Sequence, residues 1–69
     1  MMDEFELNND IILLNQLLKA MGWCESGSMA NTLIDEGFVK VNGVVEYRRR
    51  NKLGKGAIVE FDGNWVKLI

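Results

Sequence analysis

The chain has 69 residues, of which 48% are hydrophobic and 26% charged, a balance that excludes a disordered segment and is typical of a globular domain. A chain of this length has material for one hydrophobic core, so we expect a single domain over residues 1–69. His is absent and Cys24 is the only cysteine, which excludes an internal disulfide and fits a reducing compartment. The acidic start M-M-D-E-F-E-L lacks the cationic region of a signal peptide, and no apolar run approaches the ~20 residues of a membrane span. We therefore expect a soluble, cytoplasmic protein.

The positive charges are unevenly distributed, although the net charge is −2. Five of the eight basic residues stand between positions 48 and 55 with no acidic residue among them, while the rest of the chain has three basic and ten acidic residues. The five are Arg48, Arg49, Arg50, Lys52 and Lys55. A local excess of this kind is typical of nucleic-acid contact. The distribution predicts a focused contact patch and not indiscriminate binding of polyanions.

Two helices are predicted before the basic run. Residues 11–22 carry apolar side chains at the spacing of one helical face, and Gly22 can adopt the left-handed conformation that ends a helix. The polar residues 8–10 are candidate caps for its start. The second helix begins at Ser26, whose hydroxyl can accept a hydrogen bond from the first turn, and ends at Gly37. The short connector predicts a compact helix pair.

Strands are predicted on both sides of the helix pair. Asn42-Gly43 is typical of a type I′ hairpin turn, which needs φ > 0 at both central residues, and Asp62-Gly63 is a second hairpin turn. The alternating or β-branched segments are residues 4–7, 38–41, 44–47, 57–61 and 65–68. The order β-α-α-β-β-β-β predicts an α+β fold in which the helix pair packs on a small antiparallel sheet.

The combined pattern resembles a known family. It consists of L-L-K-A-M-G-W at 17–23, S-G at 26–27, I-D-E-G-F-V-K-V-N-G at 34–43, R-R at 48–49 and K-L at 52–53. This pattern is similar to the ribosomal S4-like domain, also called the alpha-L RNA-binding motif, and in particular to its small stand-alone bacterial members. The resemblance covers about residues 12–62. It implies a groove for structured RNA of the ribosomal or transfer RNA class, with ribosomal or RNA-processing proteins as further candidate partners.

Three positions depart from the pattern common in the family. Many members carry Arg and Asp where this chain has Leu13 and Asn15, and many carry Arg where this chain has Gly27. Glycine is common at this last position in the stand-alone subgroup. Because Gly27 removes a phosphate contact, the resemblance implies that the arginine run compensates from the hairpin side.

Arg48, Arg49, Arg50 and Lys52 are the leading candidates for RNA contact, with Lys55 further along the same loop. Arg presents a planar fork of donors that matches phosphate oxygens and also stacks on unpaired bases. The alternative is a solvated loop whose charges offset the acidic remainder of the chain. Three consecutive arginines repel one another without a benefit to folding, which favours RNA contact.

The start of the second helix is the next candidate. Ser26, Gly27 and Ser28 would present unsatisfied N–H groups and a partial positive charge to a phosphate, although the same residues also serve as a helix cap. Lys19 on the polar side of the first helix and Lys40 on the hairpin would flank the same groove at positions that match the family. Taken alone, each is an ordinary solvated lysine.

The remaining residues favour binding over catalysis. Trp23, Tyr47 and Trp65 can stack on bases, with packing in a small core as the alternative. Without His or a convergent pair of carboxylates, and with a single cysteine, the chain lacks general acid–base groups, so no catalytic residue, metal or cofactor is expected. The other open function is a protein-interaction module of a ribosome-associated or RNA-processing complex, which would use the acidic N-terminal half. Nothing in the sequence demands more than a monomer.

Overall fold

The computed structural model describes residues 2–69, which form two helices and seven strands. In chain order these are β1 (Met2–Phe5), β2 (Ile12–Leu13), α1 (Leu14–Ala20), α2 (Gly27–Asp35), β3 (Val39–Val41), β4 (Val44–Val45), β5 (Lys52–Leu53), β6 (Ile58–Phe61) and β7 (Asn64–Leu68). Within this part of the chain, no helix has the length and apolar content that crossing a membrane requires.

Five strands form one mixed sheet in the order β1-β7-β6-β3-β4. The pairs β3–β4, β3–β6 and β6–β7 are antiparallel, whereas β1 runs parallel to β7. A separate antiparallel ladder joins β2 to β5. The predicted α+β fold is confirmed, but the sheet is mixed and two short strands, β2 and β5, are additional. The parallel strands β1 and β7 are far apart in the sequence, so no local sequence pattern predicts their pairing.

The hydrophobic core lies between the helices and one face of the sheet. Its fully buried members, all 0% exposed, are Leu14, Leu17, Leu18, Ala30, Ile34, Val39, Val59, Val66 and Leu68. Since side chains alternate along a strand, Lys40 and Glu60 lie on the opposite face of the sheet, away from the helices. Cys24 is also buried, and its thiol lies 3.6 Å from the carbonyl oxygen of Ser26.

The short-range signals in the sequence correspond to the observed turns and caps. Asn42 and Gly43 have φ of 52° and 84°, which confirms the hairpin turn between β3 and β4. The Asn42 side chain adds a hydrogen bond, since its Oδ1 accepts from the backbone N–H of Ile58 at 3.0 Å. At the start of α2, the Ser26 hydroxyl accepts from the N–H of Met29 at 3.1 Å, so the predicted cap is confirmed.

The predicted start of the first helix is wrong by three residues, because α1 begins at Leu14 and not at residue 11. Ile12 and Leu13 instead pair with β5. The polar residues 8–10 therefore lie too far upstream to cap α1. The side chain that contributes is Gln16, whose Oε1 accepts from the N–H of Leu13 at 3.3 Å.

Two valines provide a matched test of the core. Val59 is 0% exposed in a central strand, whereas Val44 is 69% exposed at the edge of the sheet. We expect Val59→Ala to lower the free energy of unfolding by about 2 kcal/mol, because buried methyl groups are lost and a cavity remains. Val44→Ala should cost less than about 1 kcal/mol, within the range of strand propensity. Urea unfolding followed by circular dichroism measures both, and equal losses would contradict the observed core.

Candidate nucleic-acid interface

The basic run forms a braced turn, which we call the arginine loop (residues 46–52). The N–H of Asn51 donates to the carbonyl of Arg48 at 3.2 Å, which closes the turn. The Glu46 carboxylate accepts from the backbone N–H and the Nε of Arg48, both at 3.0 Å, and from Nδ2 of Asn51 at 3.0 Å. The hydrogen bonds from Arg48 hold the pKa of Glu46 below its ordinary value. Glu46 thus fixes the loop from its inner side.

The arginine loop is attached to the start of α1 by backbone hydrogen bonds. The N–H of Leu14 donates to the carbonyl of Asn51 at 2.9 Å, and the N–H of Asn15 donates to the carbonyl of Arg49 at 3.0 Å. N–H groups in the first turn of a helix have no acceptor within the helix itself. The loop supplies those acceptors, so its position is determined relative to α1.

A second attachment joins the loop to the end of α2. The Arg49 guanidinium donates to both oxygens of Asp35, with 2.8 Å between Nε and Oδ1. The hydrogen bond from Arg49 is the main cause of the lowered pKa of Asp35. The ion pair also explains why Asp35 stands at the C-terminal end of α2, where the helix dipole disfavours an unpaired carboxylate. Both side chains are about half exposed, so the pair contributes little to stability.

Arg50 is placed differently from its two neighbours. The ion pairs found within residues 2–69 engage Arg48 and Arg49, and Arg50 takes part in neither. Its side chain borders two adjacent clefts. The first cleft is lined by Arg48, Arg50, Asn51 and Lys52, and the second by Leu13, Asn15, Gln16, Lys19, Gly27 and Arg50. We call the surface formed by Lys19, Gly27, Arg50 and Lys52 the basic groove.

The other predicted site residues lie around or away from this groove. Ser26 serves as the α2 cap, with its hydroxyl as the acceptor, and Ser28 is exposed in the first turn of that helix. Lys40 lies on the helix-free face of the sheet. Lys55 lies in the turn after β5. The structure therefore brings together Lys19, Gly27, Lys52 and the three arginines, and leaves Lys40 and Lys55 apart from them.

Sequence reasoning does not find the carboxylate partners of the arginines. Glu46 stands only two residues before Arg48, so a local signal for that pair exists. Asp35 is 14 residues from Arg49, and only the fold brings the two together. The three consecutive arginines in the sequence consequently suggest more unpaired positive charge than the folded loop exposes, because two of them are paired with carboxylates.

Asn15, one of the positions that depart from the family pattern, is a further residue of the interface. Its Nδ2 donates to Oδ1 of Asn31 at 3.1 Å, which joins α1 to α2. Its own Oδ1 is buried, and no hydrogen-bond partner is found for it among the described residues. Asn15 also lines the second cleft beside Arg50. The two helices are therefore joined by a polar contact directly beneath the basic groove.

Over residues 2–69, His, Cys, Asp and Glu side chains do not form a group of three that could hold a metal ion. Cys24 is 8% exposed, so its side chain lies in the core and not in the groove. What the described site offers chemically is hydrogen-bond donors and positive charge.

The pairing of Asp35 with Arg49 gives a testable pH dependence. We expect Arg49→Ala to raise the pKa of Asp35 toward its ordinary value, because the hydrogen bond that lowers it is lost. The pKa of Asp35 is lower in the folded protein than in the unfolded chain. The pair therefore stabilises the fold at pH values above the pKa that Asp35 has in the unfolded chain. That stabilisation is lost as the pH falls through the pKa that Asp35 has in the folded protein.

A carbon-13 NMR titration of side-chain carboxyl groups measures this effect. The pKa of Glu46, which Arg48 lowers, is the internal control and should not move in the Arg49→Ala protein. An Asp35 pKa that is the same in both proteins would show that the ion pair does not form in solution.

Comparisons with known proteins identify the family and the fold of this chain. The S4 domain family matches residues 5–69, which confirms the resemblance found in the sequence. The solution structure of YbcJ from E. coli, described as revealing an alpha-L motif involved in RNA-binding, is similar with a TM-score of 0.74 and 43% sequence identity. The likeness covers 100% of this chain and 89% of that chain.

Two bacterial relatives are similar in sequence over most of their length. YbcJ of Escherichia coli (strain K12) is 48% identical over 56 residues, which are 81% of this chain and 80% of the relative. The probable ribosome maturation protein RlbA of Bacillus subtilis (strain 168) is 35% identical over 63 residues, or 91% and 89% of the two chains. With its sequence, fold and relatives in agreement, this chain belongs to the S4 domain family and has the alpha-L fold.

Proposed function

We propose that this protein binds structured RNA of the ribosomal or transfer RNA class without catalysis, and that the basic groove is its contact surface. The observation that carries the proposal is the convergence of α1, the start of α2 and the arginine loop on Arg50. These segments are distant in sequence, and each brings a group suited to a phosphate. The RNA-binding description of YbcJ and the ribosome maturation name of RlbA support the same class of partner.

The groups in the groove have complementary roles toward an RNA backbone. The Arg50 guanidinium offers a planar set of donors to phosphate oxygens, while Lys19 and Lys52 act as point charges on either side. A Cβ built at Gly27 would meet no atom within 4 Å, so the backbone at the start of α2 is open to close approach. Phosphate contacts of this kind supply affinity, and the shape of the folded RNA supplies selectivity.

Arg48 and Arg49 have a different role in this proposal. Their charges are offset by Glu46 and Asp35, so they contribute less to phosphate neutralisation than Arg50 does. They instead hold the loop in the conformation that presents Arg50 and Lys52. Ser26 caps the start of α2, and the exposed Ser28 hydroxyl in the first turn is available to a phosphate.

The cellular setting is part of the proposal. We place the protein in the cytoplasm, as a monomer that acts on ribosomal or transfer RNA, with ribosome-associated proteins as further partners. The ribosome maturation name of RlbA and the free, buried thiol of Cys24 are consistent with that setting.

Salt dependence of RNA affinity tests the proposed surface. In the variant Lys19→Ala/Arg50→Ala/Lys52→Ala, we expect weaker binding and a shallower slope of log affinity against log salt, reduced in magnitude by about 2 for three lost phosphate contacts. A gel-shift series with folded ribosomal and transfer RNA at several salt concentrations measures both quantities. Circular dichroism verifies that the variant is folded.

The chain provides a matched control with the same change in net charge. The variant Lys40→Ala/Lys55→Ala/Lys67→Ala also removes three positive charges, but at positions apart from the groove. We expect it to bind RNA with nearly the natural slope. Equal losses in the two variants would overturn the proposed surface, and no RNA binding by the natural protein would favour the alternative of a protein-interaction module.

A further inference from the structure

Tyr47 is an aromatic residue that the fold leaves largely open to solvent. Its side chain is 63% exposed and directly precedes Arg48 in the arginine loop. The tip of the ring rests against Gly37, where a Cβ would stand 3.3 Å from both Cε1 and Oη of the tyrosine. Gly37 therefore provides room for the ring beside the end of α2, while most of the ring surface faces outward.

The exposure of Tyr47 contrasts with the aromatic residues that serve the fold. Trp23 and Phe61 pack against the core, and their ring centroids lie 6.0 Å apart. Tyr47 is not among the residues of the core or packed against it. An outward aromatic ring next to arginines is the combination by which proteins hold unpaired bases, through stacking on the ring face.

We infer that Tyr47 is a stacking surface for an unpaired RNA base, placed beside the phosphate contacts of the basic groove. The inference rests on the proposed RNA-binding function. It narrows the RNA ligand to a folded RNA with an unpaired nucleotide, such as a bulge or a loop. A fully paired helix keeps its bases stacked inside the duplex and has none to offer to Tyr47.

The geometry of α2 supports this arrangement. Gly27 is the first residue of α2 and lies at the basic groove, whereas Gly37 lies two residues past the end of α2, beneath Tyr47. Gly27 and Asp35 are about 12 Å apart along the helix at a rise of 1.5 Å per residue. The arginine loop contacts both ends of α2, with Arg50 beside Gly27 and Arg49 bound to Asp35. An RNA strand that follows the loop would thus have its phosphates at Arg50 and a base at Tyr47.

Phe38 provides a matched control for aromatic exposure. It is 56% exposed and immediately follows Gly37, so it lies in the same region of the surface. Its cleft, however, is lined by Leu33, Phe61 and Asp62, and contains no residue of the arginine loop. The carboxylate of Asp62 would repel a nearby phosphate, so Phe38 should contribute nothing to RNA binding.

The test uses an RNA duplex that carries one bulged 2-aminopurine and the same duplex without the bulge. Binding of the natural protein should quench the fluorescence of the bulged base, because stacking on an aromatic ring quenches 2-aminopurine. Tyr47→Leu keeps an apolar side chain at this position but removes the ring, including the atoms that contact Gly37. We expect this variant to lose the quenching and to bind the bulged RNA about 5- to 100-fold more weakly, the usual effect of one stacked base.

Two further variants separate stacking from a structural effect. Tyr47→Phe should retain both quenching and affinity, and Phe38→Leu should behave as the natural protein does. For Tyr47→Leu, affinity for the fully paired duplex and the salt slope should stay unchanged, since the phosphate contacts remain.

Unchanged quenching and affinity in Tyr47→Leu would overturn the inference while leaving the proposed function in place. Equal weakening toward both duplexes would also overturn it, because that outcome shows a disturbed arginine loop and not a lost stack. Failure of the natural protein to bind either duplex at low salt would overturn the inference together with the proposed function.

Discussion

The arginine loop depends on two backbone hydrogen bonds to the first turn of α1, from Leu14 to Asn51 and from Asn15 to Arg49. The helix needs these acceptors, since an unsatisfied buried N–H group costs about 1–3 kcal/mol and a domain of this size has little stability to spare. The loop in turn needs the helix, because consecutive arginines repel one another and favour no conformation by themselves. Folding of the domain and placement of its candidate RNA-binding loop are therefore a single event.

The same arrangement resolves the conflict between an acidic chain and an RNA partner. The net charge is −2, yet the fold collects Lys19, Arg50 and Lys52 on one surface. Glu46 and Asp35 offset the charges of the two other arginines and fix their positions. The backbone of the arginine loop is fixed before any binding, so an RNA bound there would cost less ordering of the loop.

How far the sequence predicts this structure depends on the range of each interaction. The Asn42-Gly43 turn and the Ser26 cap involve neighbouring residues, so propensity and spacing predict them correctly. The parallel pairing of β1 with β7 and the pairing of Asp35 with Arg49 join distant segments, and no pattern of period two or 3.6 contains them. The predicted start of the first helix is wrong for the same reason, because Ile12 and Leu13 pair with the distant strand β5 and do not join the helix. For the candidate site, composition locates the basic run, whereas only the fold distinguishes Arg50 from its two neighbours.

We propose that one preformed surface, built on the attachment of the arginine loop to α1, meets the RNA. Two-dimensional nitrogen-15 NMR of the labelled protein, titrated with a folded RNA hairpin, tests this claim most directly. We expect chemical-shift changes at the arginine loop, including the Arg50 side-chain Nε–H, and at Lys19 and Gly27. Changes confined to the helix-free face of the sheet, at Lys40 and Glu60, with the loop unaffected, would contradict the account.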